Sequence, residues 1–304
     1  MSLDHIADFH TSRYGQPVSL AHLSDPHLPP PRLRWTSLFF NKRLLSFLLW
    51  KTQRRLAHLS SVNQQLLEKI RSHGNIAATL VSGDITNFGT YEEYQSSQHW
   101  LKKLPEPAIV VPGNHDIMVA IPPEKSLHLW GEWCDDVFPF VRVIDHVAII
   151  GLNSAIPTPL FTAYGCLKKR QLAKLETLLD VLGKEGYCRV IMIHHPPKKG
   201  LLPLRKSFLG TKAFARVLQR KGAEIVLHGH SHNATINTIE GTKIPLVGVG
   251  AASLKSDHPQ KEASWNHLLL TPKEHNWHIA LTRQNYKGQV METREWVAPI
   301  RDDR

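Results

Sequence analysis

The chain has 304 residues, of which 42% are hydrophobic, enough for one large core with insertions and short of a second domain. A formal net charge of +11 favours anionic partners, whether nucleotides, nucleic acid or acidic lipid. The three cysteines have no CxxC spacing, which argues against a disulfide framework and a cysteine zinc site and favours a reducing cytoplasm. The N-terminus has no apolar run of signal-peptide length, so we do not expect secretion.

The first elements are a polar arm and a short strand. Residues 1–16 are aperiodic and are predicted to be mobile, ahead of a single domain over residues 17–300. Residues 18–24 form an apolar run that ends in Asp25-Pro26-His27. The three prolines at 29–31 exclude a helix directly afterwards.

A basic, aromatic insertion follows at about residues 32–55, and we predict that it is helical. It carries too many charges to span a bilayer. It could form a helical hairpin packed on the domain, or it could act as a lid over the functional site. A third interpretation is an amphipathic helix on an anionic membrane, with aromatic side chains in the surface and cations at lipid phosphates. The residues concerned are Trp35, Phe39, Phe40, Phe47, Trp50, Lys42, Arg43, Arg54 and Arg55.

The next segments are a helix, a strand and a second helix. Residues 56–72 have the periodicity of a helix that buries Leu59, Val62, Leu66 and Ile70. Residues 78–82 then form an apolar run that ends in Gly83-Asp84. Beyond it, Thr90 and Glu93 have the spacing of a capping box at the start of a helix.

The most informative stretch is residues 109–116. Three β-branched residues suit a parallel strand covered on both faces, and Pro112 and Gly113 end it. The polar residues Asn114, His115 and Asp116 follow at once. Because function sits at the carboxyl edge of the strands in open α/β sheets, this tip is a candidate site.

The remaining chain repeats this arrangement of apolar run and polar tip. Residues 190–193 run into His194-His195, and residues 225–227 run into the tip at 228–232. We predict two strands over residues 140–154 with a turn at 145–146, and helices over residues 168–182 and 211–222. From residue 234 onward, short strands with turn signals predict a second, largely antiparallel sheet.

Taken in order, the five tips are Asp-x-His, Gly-Asp, Gly-Asn-His-Asp, His and Gly-His-x-His. In this order they resemble, over residues 18–253, the calcineurin-like metallophosphoesterases. The resemblance implies an α/β fold, a four-layer α-β-β-α sandwich of two stacked mixed β-sheets, with a dinuclear metal site at the carboxyl edge of the strands. The loop at 86–94 is similar to the class III cyclic nucleotide phosphodiesterase branch.

The resemblance also implies a ligand set. One metal would be held by Asp25, His27 and His232, the other by Asn114, His194 and His230, with Asp84 bridging them and Gly83 leaving room. Two metals about 4 Å apart neutralise phosphate oxygens and supply a hydroxide at neutral pH. A mixed nitrogen and oxygen set fits Mn, Fe or Zn.

His115 takes the family's role of general acid, protonating the leaving oxygen. Asp116 would accept a hydrogen bond from the other ring nitrogen of His115, although it could instead cap backbone amides. His22 is expected to be packed or hydrogen-bonded, while His195 and His228 fit positions just outside the ligand shell.

The expected function is that of a cytoplasmic hydrolase in which a metal-bound hydroxide attacks a phosphodiester or related small-molecule ester, including cyclic nucleotides. An alternative is a nucleotide-lipid pyrophosphatase resembling the UDP-diacylglucosamine hydrolases, with contact to the inner face of an anionic membrane. The insertion motivates this alternative, but those enzymes carry theirs after the Gly-Asn-His-Asp motif. A non-catalytic interaction module is less expected, because all seven ligands and His115 are present. Nucleic-acid hydrolysis is also less expected, because no added recognition domain appears.

Overall fold

The computed structural model describes residues 15–33 and 42–300, and of residues 53 and 54 it describes the backbone alone. Trp35, Phe39 and Phe40 of the predicted insertion therefore lie outside the described residues, as do residues 1–14 of the predicted arm. The division of the chain into an arm and one domain stays a prediction.

Six helices of the described chain are named here in sequence order, α1 to α6. They span Lys42–Leu49, Arg55–Ala57, Ser60–His73, Tyr91–Leu101, Lys169–Lys184 and Thr211–Lys221. A π-helical turn at Trp50–Arg54 joins α1 to α2. Helix α4 begins with the capping box predicted at Thr90 and Glu93. The predicted bounds of α5 and α6 agree with the observed ones to within two residues.

Fourteen strands are described, β1 to β14. They span Val18–Leu23, Ala78–Val81, Ala108–Val110, Phe140–Ile144, Val147–Gly151, Gly165–Cys166, Cys188–Ile193, Phe208–Leu209, Ile225–His228, Ile236–Thr238, Pro245–Gly248, Ser264–Pro272, Asn276–Asn285 and Val290–Pro299. Twelve of them form two six-stranded sheets, in the orders β14-β13-β12-β1-β2-β3 and β10-β11-β9-β7-β5-β4. β6 and β8 pair separately. Each large sheet combines parallel and antiparallel pairs, so both are mixed.

The strand residues alternate between two hydrophobic layers. In β7, Val190 and Met192 join the core shared by the two sheets, whereas Ile191 and Ile193 face the core formed with α5 and α6. This follows from the two-residue period of a strand covered on both faces. Because α3 and α4 cover the outer face of the first sheet, the predicted four-layer α-β-β-α sandwich is confirmed.

Two local predictions were wrong. The helix expected over residues 56–72 is interrupted at His58 and Leu59, because the chain there pairs with the segment around Leu254. The Leu59 amide donates to the Ser253 carbonyl at 2.8 Å, a bond that a continuous helix would not allow. The strands after residue 234 do not build a separate sheet, because β10 and β11 extend the second sheet and β12 to β14 extend the first.

The described part of the insertion packs on the domain. Arg43 is buried and donates to the Phe88 carbonyl at 2.8 Å, and the Lys42 amine donates to the Thr158 hydroxyl at 2.6 Å. The rings of Phe47 and Trp50 lie 5.9 and 6.2 Å from that of Phe88. Lys42, Arg43, Phe47 and Trp50 therefore contact the domain, which favours the packed interpretation for these four residues. No helix in the described ranges is long and apolar enough to cross a bilayer.

Candidate metal centre

The polar tips of five strands converge at one edge of the sandwich. β1, β2 and β3 of the first sheet and β7 and β9 of the second all end there. Five tip residues have left-handed backbone conformations, with φ between 40° and 63°, namely Asp25, His27, Asp84, His230 and His232. Non-glycine residues rarely adopt this conformation, and it accumulates at functional sites. The sharp turns bring side chains of both sheets together.

The first cluster joins Asp25, His27, Asp84 and His232, whose potential ligand atoms all lie within 4.8 Å of one another. The Nε2 atoms of His27 and His232 are 3.2 Å apart. His232 Nε2 also lies 3.2 Å from Asp25 Oδ1, and His27 Nε2 lies 3.9 Å from Asp84 Oδ2. Asp25 and Asp84 are almost fully buried, which requires a positive partner.

The second cluster shares Asp84 with the first and adds His194 and His230. His194 Nε2 lies 3.4 Å from Asp84 Oδ2 and 3.3 Å from the amide oxygen of Asn114. The other ring nitrogen of His194 donates to the Ser82 carbonyl at 2.7 Å, and His230 Nε2 donates to the Lys206 carbonyl at 2.9 Å. Such bonds orient an imidazole towards a metal. The structure thus brings together all seven residues predicted as ligands.

The clusters fit divalent metal ions. His27 Nδ1 is buried without a hydrogen-bond partner in the described residues, and Asp25 Oδ1 is buried beside the ring nitrogen of His232. Nitrogen and oxygen ligands bond Zn²⁺ at about 2.0–2.2 Å, so neighbouring ligand atoms of a tetrahedral site lie about 3.3 Å apart. The contacts of 3.2 to 3.4 Å in both clusters have this spacing. The donors are imidazole, carboxylate and amide groups, the set that suits Mn, Fe or Zn.

Close packing at the centre requires a glycine at position 83. Gly83 has φ +102°, and a Cβ there would lie 2.6 Å from the Gly113 amide nitrogen and 2.7 Å from His194 Nδ1. A side chain at Gly83 would therefore displace the backbone beside Asp84 or the His194 ring. This agrees with the expectation that Gly83 leaves room beside the bridging residue.

Burial and neighbouring charges give the histidines of the centre different pKa values. Burial alone would lower the pKa of His194, but the carboxylates of Asp84 and Asp25 outweigh it and raise this pKa to about 9. Burial and then the nearby His194 lower the pKa of His230 to about 3. Burial and the neighbouring His58 and His115 lower the pKa of His27 well below its usual range. The lowered pKa values favour the neutral imidazole at His27 and His230, the form that binds metal, whereas His194 has to lose a proton to bind one.

The predicted partner of His115 was wrong. His115 Nδ1 donates to the Asn87 carbonyl at 2.7 Å, and Asp116 instead accepts from the amides of Gly113, Asp84 and Thr86 at 2.8 to 2.9 Å. The carboxylate thus ties the tip of β3 to that of β2, because the buried amides of both tips need an acceptor. Asp116 caps backbone amides, the alternative that its position in a loop had left open.

Two histidines outside the ligand set, His22 and His195, lie where the sequence predicted, whereas a third was not predicted near the centre. His22 is buried between Ser82 and Asn266, and His195 Nδ1 lies 2.9 Å from the Ser154 hydroxyl. His58, which sequence reasoning missed, lies beside the first cluster with its ring 4.8 Å from that of His27. It belongs to none of the five sequence motifs, although it could hold a metal together with His27 and His232, and it lies in the interruption between α2 and α3.

Strand tips of both sheets surround two clusters of potential metal ligands, and the two clusters share one carboxylate. This arrangement at the edge of a two-sheet sandwich defines the class of dimetal phosphoesterases. The chain belongs to the calcineurin-like phosphoesterase family, whose sequence profile matches residues 1–234. It is accordingly a metal-dependent hydrolase of phosphoric ester bonds. Members of this family use a dinuclear divalent metal site, which the clusters around Asp84 fit.

Similar sequences are phosphodiesterases by name. A probable cyclic nucleotide phosphodiesterase of Synechococcus is 29% identical, over 64% of this chain and 71% of that protein. A 3',5'-cyclic-nucleotide phosphodiesterase of Nostoc is 25% identical, over 71% and 72%. A glycerophosphodiester phosphodiesterase of Enterobacter lignolyticus is 30% identical, over 52% and 57%.

Solved structures confirm the fold. A dimetal phosphatase of Danio rerio superposes with a TM-score of 0.56 at 11% identity, covering 93% of this chain and 99% of that one. GAP50, the anchor in the inner membrane complex of Plasmodium, superposes with a TM-score of 0.53 at 12% identity, covering 94% and 90%. At this level of identity the likeness extends to the architecture alone.

Proposed function

We propose that the two clusters hold two divalent metals, Mn, Fe or Zn, and that the chain uses them to hydrolyse phosphodiesters. The observation that carries this proposal is the position of Asp84, which belongs to both clusters. Asp25, His27 and His232 hold one metal, and Asn114, His194 and His230 hold the other. His27 Nδ1 also supports the assignment, because this buried ring nitrogen has no hydrogen-bond partner in the described residues, and a buried polar atom needs one.

When bound, the metals neutralise the phosphate oxygens and supply the nucleophile at neutral pH. The chain itself supplies the general acid, His115, whose ring lies 5.0 Å from that of His27 in the first cluster. Its Nδ1 is engaged by the Asn87 carbonyl at 2.7 Å, so Nε2 is the atom that delivers a proton to the leaving oxygen. The His115 amide also donates to Asp84 Oδ1 at 2.7 Å, which couples the acid to the bridging carboxylate.

The substrate class that we propose is a small phosphodiester, with cyclic nucleotides as the first candidates. Relatives named for cyclic nucleotides and for glycerophosphodiesters support a diester over a monoester. The loop after Asp84, on which the resemblance to the cyclic nucleotide branch depends, also provides the Asn87 carbonyl that orients His115.

A substrate panel combined with metal analysis tests this function. The Mn-supplemented protein is assayed against cyclic nucleotides, linear diesters, monoesters and nucleotide-lipid pyrophosphates, and bound metal is measured by elemental analysis. We expect hydrolysis of diesters, and we expect Asp84→Ala to abolish it and to lower the metal content. Asp257→Ala, at an exposed carboxylate outside the clusters, should change neither. Two bound metals and parental turnover in Asp84→Ala would refute the proposal.

A further inference from the structure

Helix α1 buries a cation and exposes three leucines. Arg43 is 7% exposed, and Phe47 packs beside Phe88. Leu44, Leu48 and Leu49 are 39%, 53% and 41% exposed. A helix on a water-facing domain normally buries its leucines and exposes its cations. The domain has engaged the cation through the carbonyls of Phe88 and Gly89, which leaves the apolar face outward.

A second segment presents large apolar side chains beside α1. In the loop over residues 157–163, Leu160 is 51% and Phe161 is 68% exposed. Phe161 has φ +62°, a left-handed conformation that bulky residues rarely adopt. This loop is attached to α1, because the Lys42 amine donates to the Thr158 hydroxyl at 2.6 Å and to the Thr162 carbonyl at 2.5 Å.

A third segment continues the same surface. Leu204 begins the turn Leu204–Lys206 and is 85% exposed, the largest value among the exposed large hydrophobic residues of the described chain. The Ala163 amide donates to the Arg205 carbonyl at 2.7 Å, so this turn is joined to the 157–163 loop. We call the exposed side chains of the three segments the apolar rim, namely Leu44, Leu48, Leu49, Leu160, Phe161 and Leu204.

The apolar rim borders the candidate metal centre. The Lys206 carbonyl accepts from His230 Nε2 at 2.9 Å, and the Ala163 carbonyl faces His195 Nε2 at 3.2 Å. The two segments that carry Phe161 and Leu204 therefore contact the histidines of the centre directly through their backbones. Whatever covers the rim will lie next to the site of hydrolysis.

The segments that carry the rim are also strongly cationic. Residues 26–67, 146–175 and 186–223 contain no aspartate or glutamate. Exposed cations in these segments include Lys168, Lys169, Arg170, Lys199 and Arg205. Exposed leucine and phenylalanine among lysine and arginine is the combination that binds an anionic bilayer surface. A second copy of this chain is a poorer occupant, because it would bring cations against cations.

We infer that the apolar rim docks the protein on an anionic lipid bilayer, with the metal centre beside the lipid headgroups. Leu160, Phe161 and Leu204 enter the apolar boundary while Lys199 and Arg205 meet lipid phosphates. This surface replaces the aromatic and basic set that the sequence suggested for the insertion. The inference goes beyond phosphodiester hydrolysis, which requires no membrane.

Vesicle sedimentation tests the docking without any measurement of activity. The full chain is mixed with phosphatidylcholine vesicles that contain or lack phosphatidylglycerol, at low and high salt, with and without chelator. We expect sedimentation with the anionic vesicles, weaker binding at high salt, and no dependence on hydrolysis. Because Asp84→Ala should bind as the parent does, failure of the proposed function and failure of the docking give different results.

Two variants locate the contact. Phe161→Ser/Leu204→Ser should weaken partitioning by about tenfold or more, because two large apolar side chains lose their burial in the bilayer. Its matched control is Val290→Ser/Val297→Ser, at two side chains that are each 59% exposed on β14 and distant in sequence from the rim. Lys199→Gln/Arg205→Gln should weaken binding to anionic vesicles and flatten the salt dependence.

Three results would overturn the inference. The first is absence of parental binding to anionic vesicles at low salt. The second is binding by the rim variant equal to that of its β14 control, with melting curves showing that both are folded. The third is light scattering that shows a dimer broken by the rim variant, which would assign the surface to a second copy of this chain.

Discussion

At the scale of single residues, the centre depends on backbone conformations that side chains normally avoid. Asp25, His27, Asp84, His230 and His232 all have positive φ, at a cost of about 1–3 kcal/mol each. The surrounding structure holds them in place, for example through the His230 amide, which donates to Asp25 Oδ2 at 3.0 Å. These backbone conformations orient imidazoles and carboxylates of both sheets towards the same positions.

The role of His115 gives a prediction that depends on the leaving group. His115→Ala removes a proton donor that no predicted metal assignment uses, so hydrolysis of an alkyl diester should fall about 10²–10⁴-fold. A diester that releases p-nitrophenolate should be affected far less, since this group departs without protonation. Steady-state rates on the two substrates, with bound metal measured in parallel, check the prediction.

His128→Ala is the matched control, because His128 is half-exposed and lies away from the clusters. It should leave both rates and the metal content at parental values. Equal losses on the two substrates in His115→Ala, or a loss of metal, would mean that His115 positions substrate or binds metal.

At the scale of elements, the attachment of α1 depends on one buried cation. Arg43 satisfies the carbonyls of Phe88 and Gly89, in the loop that also carries the Asn87 acceptor of His115. Helix α1 is therefore joined to the loop that orients the general acid. Periodicity alone could not show this, since Arg43 is one of several cations in a helix rich in leucine.

Arg43→Ala should lower the free energy of unfolding by about 1.5–3 kcal/mol, the usual contribution of hydrogen bonds to a charged group. The loss should be seen as a lower midpoint in denaturant titrations. Arg216→Ala, at an exposed position on α6, should stay within about 0.5 kcal/mol of the parent. If the two variants were equally stable, α1 would not depend on the buried guanidinium.

At the scale of the whole molecule, the centre joins the two sheets. Asp25, Asp84 and Asn114 follow strands of the first sheet, whereas His194, His230 and His232 follow strands of the second. Bound metal would therefore add a link between two layers that already share an apolar core and polar contacts, such as the bond from the His230 amide to Asp25 Oδ2. Stability and metal content should be linked for this reason.

Removal of metal should lower the melting temperature. At a free metal concentration 100 times Kd, binding stabilises the folded state by about 2.7 kcal/mol, and its loss corresponds to roughly 5 °C for a chain of this size. Differential scanning calorimetry with and without chelator measures the shift. The shift should largely disappear in Asp84→Ala, and an unchanged parental melting temperature would contradict the linkage.

The sequence by itself determined the strands and their polar tips, and its resemblance to a known family implied which tip residues meet at the centre. The strands and tips depend on local physics: β-branched runs favour buried strands, and Pro112 and Gly113 end one of them at a fixed point. The capping box at Thr90 and the turn between β4 and β5 were likewise predictable, because each is formed by neighbours in the chain.

Tertiary structure alone decided which partners those residues met. Asp116 bonds to amides near residue 84 rather than to His115, and His58 leaves its predicted helix to pair near Leu254. The outward face of α1 was also decided by tertiary contacts, since the domain provides carbonyls that accept from Arg43 and leaves Leu48 exposed. Contacts between distant residues depend on which groups the packed layers leave unsatisfied, and no local pattern in the sequence encodes that.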